Sequence, residues 1–434
     1  MRQLYDIGIA GCGPAGLAAA LLLHRDGHRV TLFERFEQPR PVGSGLMIQP
    51  SGLAVLADLG LAQEVAARGS RIDSLFGRTE SGRVALDAPY ARLGLPGAFG
   101  IGIHRASLFD ILHAAVQAAG IAVETCRDVA GVVSSGHSRR FRFADGTRAE
   151  AFDLLVDASG WQSALDTARR RVLGFGALWS SLPVTPSDPY APNLLEQRYR
   201  GARQMAGVLP IGARGPGQPS QVAFFWSLAC EDHARWCVTP LAEWKGAVLA
   251  LWPELAWLLD RIETRDQLTF ARYAHRTAAV PQDARLARIG DAWHSASPQL
   301  GQGANMALLD AFALAQGLRE GRSATEALRL ARSWRKDHVG LYQWVTALFT
   351  PLYQSQSAFL PVIRDRVVAP LARLGPVARL QALLMSGLFG SPLAILGLAP
   401  PDYEAIAASM AARASSPAQS KSPATRQTSR PSAS

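Results

Sequence analysis

The hydrophobic pattern is clearest near the N-terminus, where two short apolar runs flank a longer one. Leu4 to Ala10 is short and mostly apolar, which predicts a buried strand. Leu17 to His24 is rich in Ala and Leu and is followed by Gly27, which is typical of a buried helix and its C-terminal glycine. Arg29 to Phe33 predicts a second strand. This stretch therefore predicts a strand–helix–strand unit.

A glycine-rich turn joins the first strand to the helix, and an acid follows the second strand. The turn reads Gly11-Cys-Gly-Pro-Ala-Gly16, and the acid is Glu34. Gly11 permits a tight turn, Gly13 lets the backbone approach a pyrophosphate, and Gly16 lets the helix pack close to the strand. The free N–H groups at the helix N-terminus favour phosphates, and Glu34 is placed to accept hydrogen bonds from an unphosphorylated ribose diol. Because all these parts occur in order, we predict a dinucleotide site for NAD or FAD.

Apolar patterns predict further elements up to about residue 170. The predicted helices are Ser51–Leu59, Leu61–Arg68 and Ala106–Ala119, and the predicted strands are Ile72–Thr79, Arg83–Asp87, Ile121–Thr125 and Phe152–Asp157. A hairpin is predicted over Arg139–Arg148, turning at Asp145-Gly146.

The middle of the chain, from about Arg171 to Phe270, has a different pattern. It contains strand-like runs at Leu194–Val208 and Val222–Ala229, Gly/Pro-rich loops, and helical stretches near Leu241–Leu251 and Leu255–Ile262. We expect a mostly antiparallel sheet that covers a cofactor and shapes a substrate pocket.

The C-terminal part reads as helical from Thr325 to about Ala411. Residues 380–401 are apolar and carry no charge, but glycines and a proline interrupt them, which favours core helices over a transmembrane span. Contact with a membrane surface or with a biosynthetic complex is the alternative. Residues 413–434 are rich in Ser, Pro, Ala and Arg, and they predict a disordered tail.

Composition narrows the class of protein. A hydrophobic content of 48% with 18% charged residues indicates a folded globular chain. The net charge of +10 invites a nucleic-acid interpretation, but the arginines are scattered and form no basic run interleaved with aromatic residues, so we exclude that partner. The four cysteines show neither paired nor metal-ligand spacing, which predicts reduced thiols and no metal site. With no signal peptide in the sequence, these features predict a cytoplasmic protein.

A second glycine-rich segment follows a predicted strand at Arg285–Ile289. It runs from Gly290-Asp291 through Pro298, Gly301 and Gly303 into a helix that extends to about Leu318. The Asp291 carboxylate is suited to the hydroxyls of a ribityl chain, and the glycines let backbone approach a flat ring. The positive end of the helix would stabilise an anionic reduced flavin. Together with the N-terminal turn, this segment favours FAD.

Over residues 4–320 the chain resembles the class A FAD-dependent flavoprotein monooxygenases, such as para-hydroxybenzoate hydroxylase and the ubiquinone-biosynthesis hydroxylases. The residues that carry the likeness are the Gly11 to Gly16 turn with Glu34, Arg105 at a helix start, and Gly290 to Asn305. The resemblance implies that Glu34 holds the adenosine ribose, Arg105 contacts FAD, Val129 offers backbone near the adenine, and Gly43-Ser-Gly45 lines the path of a moving flavin. The full set of expected cofactor-binding residues is Gly11, Gly13, Ala15, Gly16, Glu34, Gly45, Arg105, Val129, Asp291, Pro298, Gly301, Gly303, Ala304 and Asn305.

The expected fold is α/β, with a Rossmann-like FAD-binding domain whose parallel sheet is interrupted by a mostly antiparallel substrate domain and followed by a helical C-terminal region. The FAD-binding domain takes residues 1–70, 100–170 and 271–320, and the substrate domain takes 71–99 and 171–270. The helical region takes 321–412.

The resemblance implies an enzyme that uses NADH or NADPH and O2 to hydroxylate or epoxidise a small aromatic or polyketide-like substrate through a C4a-hydroperoxyflavin. No catalytic base is identified, because His294 in the Gly-Asp loop reads as structural.

Two alternatives stay open, one of which rests on a departure from the family. The family motif Gly-Ala-Asp-Gly-x-x-Ser corresponds here to Asp157-Ala-Ser159-Gly160-Trp-Gln-Ser163, with Ser159 in place of an aspartate implicated in FAD and nicotinamide contacts. Ser159 favours a same-fold dehydrogenase fed by a partner as one alternative, and the apolar C-terminal helices favour a non-catalytic flavin-binding subunit of a biosynthetic complex as the other. Halogenation is excluded because no lysine precedes Lys245 and the Trp-x-Trp-x-Ile-Pro motif is missing.

Overall fold

The computed structural model describes residues 3–38, 44–136, 138–166, 171–215, 217–279, 281 and 284–414. Gly43 and most of the predicted tail, 415–434, lie outside the described residues.

The strands are numbered in chain order. They are β1 Asp6–Ala10, β2 Arg29–Phe33, β3 Gly45–Ile48, β4 Ser70–Ile72, β5 Ser74–Thr79, β6 Val84–Pro89, β7 Gly100–His104, β8 Ala122–Glu124, β9 Val129–Ser135, β10 Ser138–Phe143, β11 Leu154–Asp157, β12 Arg171–Pro183, β13 Leu194–Arg200, β14 Gln204–Ala213, β15 Ser220–Ala229, β16 Thr269–Thr277, β17 Leu286–Arg288 and β18 His294–Ser295.

The helices are numbered in the same way. They are α1 Pro14–Arg25, α2 Pro50–Asp58, α3 Ala62–Arg68, α4 Arg105–Ala118, α5 His233–Val238, α6 Leu241–Leu249, α7 Ala256–Leu259, α8 Gly303–Glu320, α9 Ala324–Tyr353, α10 Leu360–Ile363, α11 Ala369–Leu371, α12 Gly375–Ser386, α13 Pro392–Leu396 and α14 Tyr403–Ala414.

A five-stranded parallel sheet holds the glycine turn. Its order is β17-β11-β1-β2-β8, so β1 lies at its centre between β11 and β2. Four consecutive residues of β1, Ile7 to Ala10, are fully buried or nearly so, as expected for a strand covered on both faces. Helices α1 and α8 pack against each other beside this sheet. The predicted strand–helix–strand unit and its Rossmann-like sheet are therefore confirmed.

An eight-stranded sheet forms the second layer, in the order β18-β16-β12-β15-β14-β13-β5-β6. All its pairs are antiparallel except β13 with β5. Its far face carries a separate apolar core with the helices α6 and α7, in which Phe224, Trp226 and Trp244 are buried. The predicted antiparallel sheet is confirmed. Strand β16 crosses the boundary predicted at residues 270 and 271 and pairs within this sheet.

The predicted hairpin at Asp145-Gly146 is present: Phe143 N donates to Thr147 O and Ala149 N donates to Phe141 O, each at 2.9 Å. Strand β10 also pairs with β9, which the sequence pattern did not predict. The long strand β12 was also not predicted, because Gly174, Gly176 and Pro183 weaken its strand pattern.

The C-terminal helices pack on both domains: α9 lies against α8 and α14 against α3, whereas α11 and α12 contact β6. None of the helices in the described ranges is by itself long and apolar enough to cross a membrane. The segments Leu360–Leu371 and Gly375–Ser386 are long and apolar enough when taken together, but the chain bends by 111° between them. In the charge-free segment, Ala382, Met385 and Leu396 are buried, which agrees with core helices. Contact of this region with a membrane surface or a partner stays a prediction.

Candidate active site

The glycine turn has the geometry that its sequence predicts. Gly11 has a φ of +100°, which favours glycine, and a Cβ there would lie 2.6 Å from the carbonyl oxygen of Ala158. A Cβ on Gly16 would lie 2.0 Å from the carbonyl oxygen of Gly11, so α1 approaches the turn too closely for a side chain. A Cβ on Gly13 would meet nothing within 4 Å. The turn is therefore closed at its two ends and open in the middle.

Glu34 lies at the C-terminal end of β2 and faces this turn. Its Oε2 accepts a hydrogen bond from Cys12 N at 3.0 Å, and its Oε1 accepts one from Phe36 N at 3.2 Å. Because each carboxylate oxygen can accept a further bond, the side chain is held in place and still able to bind hydroxyls. Burial, with the charge of Glu34, raises the pKa of the Cys12 thiol to about 12, so Cys12 is an inert, protonated side chain.

A cavity of about 800 Å³ opens beside the turn, and we call it the outer cavity. Six of the predicted cofactor-binding residues line it: Gly11, Gly13, Glu34, Arg105, Val129 and Asp291. A second cavity of about 440 Å³, the inner cavity, lies next to it and extends under the eight-stranded sheet. The predicted residues that line the inner cavity are Gly13, Ala15, Gly45, Arg105, Asp291, Pro298, Gly301, Gly303 and Ala304. Gly13, Arg105 and Asp291 line both, so the two cavities are contiguous.

Arg105 and Asp291 lie where the cavities meet. Arg105 begins α4, and its backbone N donates to Ser44 O at 2.8 Å. Burial raises the pKa of the Asp291 carboxyl, and His294 and Arg105 partly offset that rise. Asp291 follows Gly290, whose φ of +58° turns the chain at the end of the strand β17.

Two predicted site residues line neither cavity. Gly16 packs against the turn, as described above, and Asn305 is fully buried. The Asn305 side chain accepts from Gln49 N at 2.8 Å and donates to Met47 O and Gly301 O, each at 3.0 Å. It therefore ties β3 to the start of α8, on either side of the inner cavity.

Ser159 lines the outer cavity and is bonded to a nearby carboxylate. Its Oγ donates to Asp157 Oδ1 at 2.6 Å, and Ser163 Oγ donates to Asp157 Oδ2 at 2.6 Å. Asp157 is fully buried at the end of β11. Asp157 thus organises this turn from inside, and the side chain at position 159 that lines the outer cavity is an uncharged hydroxyl.

A buried polar cluster supports the Gly290-Asp291 segment. The Asp310 carboxylate accepts from Gly290 N at 2.9 Å and from Arg335 Nε at 2.8 Å, and it lies 2.6 Å from His294 Nε2. Arg335 Nη1 lies 2.7 Å from His338 Nδ1. We call Asp310, His294, Arg335 and His338 the buried cluster. Burial alone would raise the pKa of Asp310, but His294 and Arg335 outweigh it and lower that pKa to about 2. His294 is thus bonded within this cluster, and its purely structural role stays a prediction.

The buried cluster makes stability depend on pH. Burial, reinforced by the charge of Arg335, lowers the pKa of His338 to about 3, against about 6.5 in an unfolded chain. Below pH 6.5 the unfolded chain binds a proton that the folded one does not, so stability falls as the pH falls towards 3. We expect His338 to lower the free energy of unfolding by about 2 kcal/mol between pH 7 and pH 5. Asp310 adds a further loss only below about pH 4.

Urea unfolding at pH 7 and pH 5 tests this prediction, with His338→Gln as the matched variant, because glutamine keeps an acceptor for Arg335 and does not titrate. The variant should lose about 2 kcal/mol less than the natural chain over that interval. Equal losses in both proteins would contradict it.

Sequence reasoning missed the buried cluster and Asp157. A usable signal was present, since Asp310 is the one charged residue between Met306 and Leu318 in an otherwise apolar helix. Arg335 and His338 carry no such signal, because the N-terminal half of α9 contains several charged residues among which these two do not stand out.

The arrangement fits FAD. The open space at Gly13 suits a pyrophosphate, and the half-satisfied carboxylate of Glu34 suits a ribose. Arg105 and Asp291 at the junction, followed by the glycine-containing segment Pro298–Ala304, suit a ribityl chain and a flat ring.

Comparison with known proteins agrees with this geometry. Residues 5–336 match the family model described as FAD binding domain. A putative 2-heptyl-3-hydroxy-4(1H)-quinolone synthase of Rhodococcus erythropolis is 30% identical over 77% of this chain and 85% of its own. The 3-amino-4-hydroxybenzoate 2-monooxygenase of Streptomyces cremeus is 29% identical over 75% of this chain and 84% of its own.

Solved structures share the fold. The tetrameric form of 2-methyl-3-hydroxypyridine-5-carboxylic acid oxygenase superposes with a TM-score of 0.72 at 20% identity, over 90% of this chain and 98% of that one. Klebsiella pneumoniae HpxO, complexed with FAD and uric acid, gives 0.72 at 19% identity, over 89% and 98%. The protein is therefore an FAD-dependent oxidoreductase, and its chain belongs to the para-hydroxybenzoate hydroxylase-like family of class A FAD-dependent monooxygenases.

Proposed function

We propose that this protein uses NADH or NADPH and O2 to hydroxylate an aromatic substrate held in the inner cavity. The observation that carries the proposal is the junction of the two cavities at Arg105 and Asp291, where a ring bound from the outer side would meet a molecule bound from the inner side. Bound FAD supplies the chemistry of electron acceptance from a nicotinamide and of oxygen activation.

The residues of this chain would bind and orient the cofactor. The turn from Gly11 to Gly16 would receive the pyrophosphate, Glu34 the adenosine ribose, and Val129 the adenine. Arg105 and Asp291 would hold the ribityl region, and Gly45 would line the path of the ring. The residues expected beside the ring are Ala15, Pro298, Gly301, Gly303 and Ala304. Asn305 would fix β3 against the start of α8. The N-terminus of α8, at Gly303, stabilises negative charge that develops beside it.

The inner cavity excludes water from the reacting atoms. Its wall on the sheet side carries several apolar side chains, among them Leu75, Leu209 and Phe225. Such a wall prevents side reactions with water and strengthens the polar contacts inside.

Anaerobic stopped-flow of the purified holoprotein with NADH and with NADPH tests the proposal, each with and without aromatic candidates. We expect one nucleotide to bleach the flavin absorbance, and subsequent mixing with O2 to restore it, with an oxygen atom incorporated into a product. The control is the same protein mixed with O2 before the nucleotide.

Failure of both nucleotides to bleach fully bound FAD in every mixture would contradict direct nicotinamide use. Ser159 would then mark an enzyme that receives its electrons from a partner. Bleaching without oxygen incorporation into any product would favour dehydrogenation.

A further inference from the structure

The far side of the inner cavity is apolar. Its lining there comes from strands of the eight-stranded sheet, which present Leu75, Leu86, Leu195, Met205, Leu209 and Phe225. Leu209 and Leu75 are 3% and 5% exposed, so this wall is dry rather than open to solvent. A ligand seated against it gains free energy from the apolar surface that it buries.

Most of the polar side chains that line the inner cavity are neutral, and amides are the most frequent kind among them. Six glutamines line it: Gln49, Gln197, Gln299, Gln302, Gln343 and Gln354. Trp179 and Tyr273 also line the cavity and form a neutral hydrogen-bonded pair, in which the indole Nε1 donates to the phenol oxygen at 2.9 Å.

Several of these amides have unsatisfied atoms. Gln343 Nε2 donates to the backbone oxygens of Ser295 at 3.1 Å and Arg276 at 3.4 Å, which fixes the amide and leaves its buried Oε1 without a partner among the described residues. Gln354, 6% exposed, likewise has an unpartnered Oε1. Gln49 is fully buried, and its Oε1 accepts from Tyr90, so its Nε2 is the unpartnered atom. A buried polar atom without a partner is costly, and a bound molecule can supply the missing hydrogen bond.

Charged side chains are confined to the side that faces the cofactor site. Among the described residues of the lining, only Arg105 and Asp291 carry a full charge, and both also line the outer cavity. His294, the remaining titratable base of the lining, is bonded to Asp310. A carboxylate in the apolar part would thus be desolvated without a cation beside it, which is strongly unfavourable.

We infer that the inner cavity selects an uncharged aromatic substrate with apolar bulk and both hydrogen-bond donors and acceptors, and that it discriminates against carboxylates. This inference rests on the proposed function for its placement of the substrate. The substrate class follows from the groups that the apolar part of the cavity offers. Its amides suit neutral donors and acceptors, and the guanidinium of Arg105 lies on the cofactor side, away from an anion seated against the apolar wall.

The test is equilibrium titration of the holoprotein, followed by perturbation of the flavin absorbance, with matched neutral and carboxylated probes. The pairs are 2-naphthol with 3-hydroxy-2-naphthoate, 4-hydroxyquinoline with its 2-carboxylate, and 4-hydroxybenzamide with 4-hydroxybenzoate. For each pair in which binding is detected, we expect the dissociation constant of the neutral probe to be at least about tenfold lower than that of its carboxylate. A carboxylate that binds as tightly as its neutral partner, or no neutral binding up to about 1 mM, would overturn the inference.

A variant pair sharpens the test. Gln197 lies on β13 and is half-buried, so Gln197→Arg places a cation in the lining without opening the core, and Gln197→Met is the uncharged control. In the arginine variant, the ratio of the carboxylate's dissociation constant to that of the neutral probe should fall by about tenfold, whereas the methionine variant should keep the ratio of the natural protein. An unchanged preference in Gln197→Arg would count against the cavity as the binding place. Since binding is measured without nucleotide or oxygen turnover, failure of the monooxygenase proposal leaves this result interpretable.

Discussion

Replacement of Arg335 by methionine is expected to lower the free energy of unfolding by about 3–5 kcal/mol, because it leaves the Asp310 carboxylate buried without its cation. Both side chains are 1% exposed, and their Nε–Oδ1 distance is 2.8 Å. Methionine fills similar volume, so the effect arises from charge rather than from a cavity. Urea unfolding at pH 7 measures it.

The matched control is Arg25→Met. Arg25 pairs with Asp58 at 2.6 Å, but the two side chains are 41% and 30% exposed. Replacing Arg25 should therefore lower the free energy of unfolding by less than about 1 kcal/mol. Adding Asp310→Asn to Arg335→Met should restore part of the lost stability, since the uncompensated charge is then gone. Similar losses of unfolding free energy in Arg335→Met and Arg25→Met would contradict a stabilising role of the buried cluster.

Gly13→Ala is expected to raise the dissociation constant for FAD about 100-fold, or about 2.7 kcal/mol, without loss of stability in the apoprotein. Gly13 has a φ of −73° and a ψ of 177°, which alanine adopts readily, and its Cβ would meet no protein atom within 4 Å. The methyl group would instead occupy the outer cavity where we place the pyrophosphate. Flavin fluorescence titration measures the affinity, and thermal unfolding of the apoprotein measures the fold.

Gly246→Ala is the control, because it too meets nothing within 4 Å but lies in α6, in the other domain. It should leave FAD binding unchanged. Unaltered FAD affinity in Gly13→Ala would mean that the phosphates do not pass over this turn.

The parts that sequence predicted well are those fixed by neighbours in the chain. The turn from Gly11 to Gly16 and the acid Glu34 lie within 24 residues. The glycines and the acid are the residue types that a dinucleotide-binding turn requires at these positions. The Gly290-Asp291 segment is local in the same way. These positions reached the cavities as expected, except Gly16 and Asn305, which support the site from behind.

The parts that sequence did not predict depend on partners far along the chain. Strand β12 pairs with β15 and β16, which lie about 50 and 100 residues later, and its own glycines weaken the strand pattern. The Asp310–Arg335 contact joins two helices through side chains whose mutual direction no periodicity specifies. The six glutamines of the inner cavity come from separate strands, loops and helices, so their convergence appears only in three dimensions.

The parallel sheet also bears on how the protein is made. Its order places β17, residues 286–288, on one edge and β1, residues 6–10, at the centre, so neighbours in the sheet are synthesised far apart in time. A growing chain exposes the glycine turn early but lacks β17 and Asp291 until most of the protein has been translated. Such non-local pairing slows folding, since long loops must close before the sheet is complete. Loading of the cofactor is therefore expected to be a late event, and shortage of flavin should leave a chain with an incomplete site exposed to aggregation or degradation at this step.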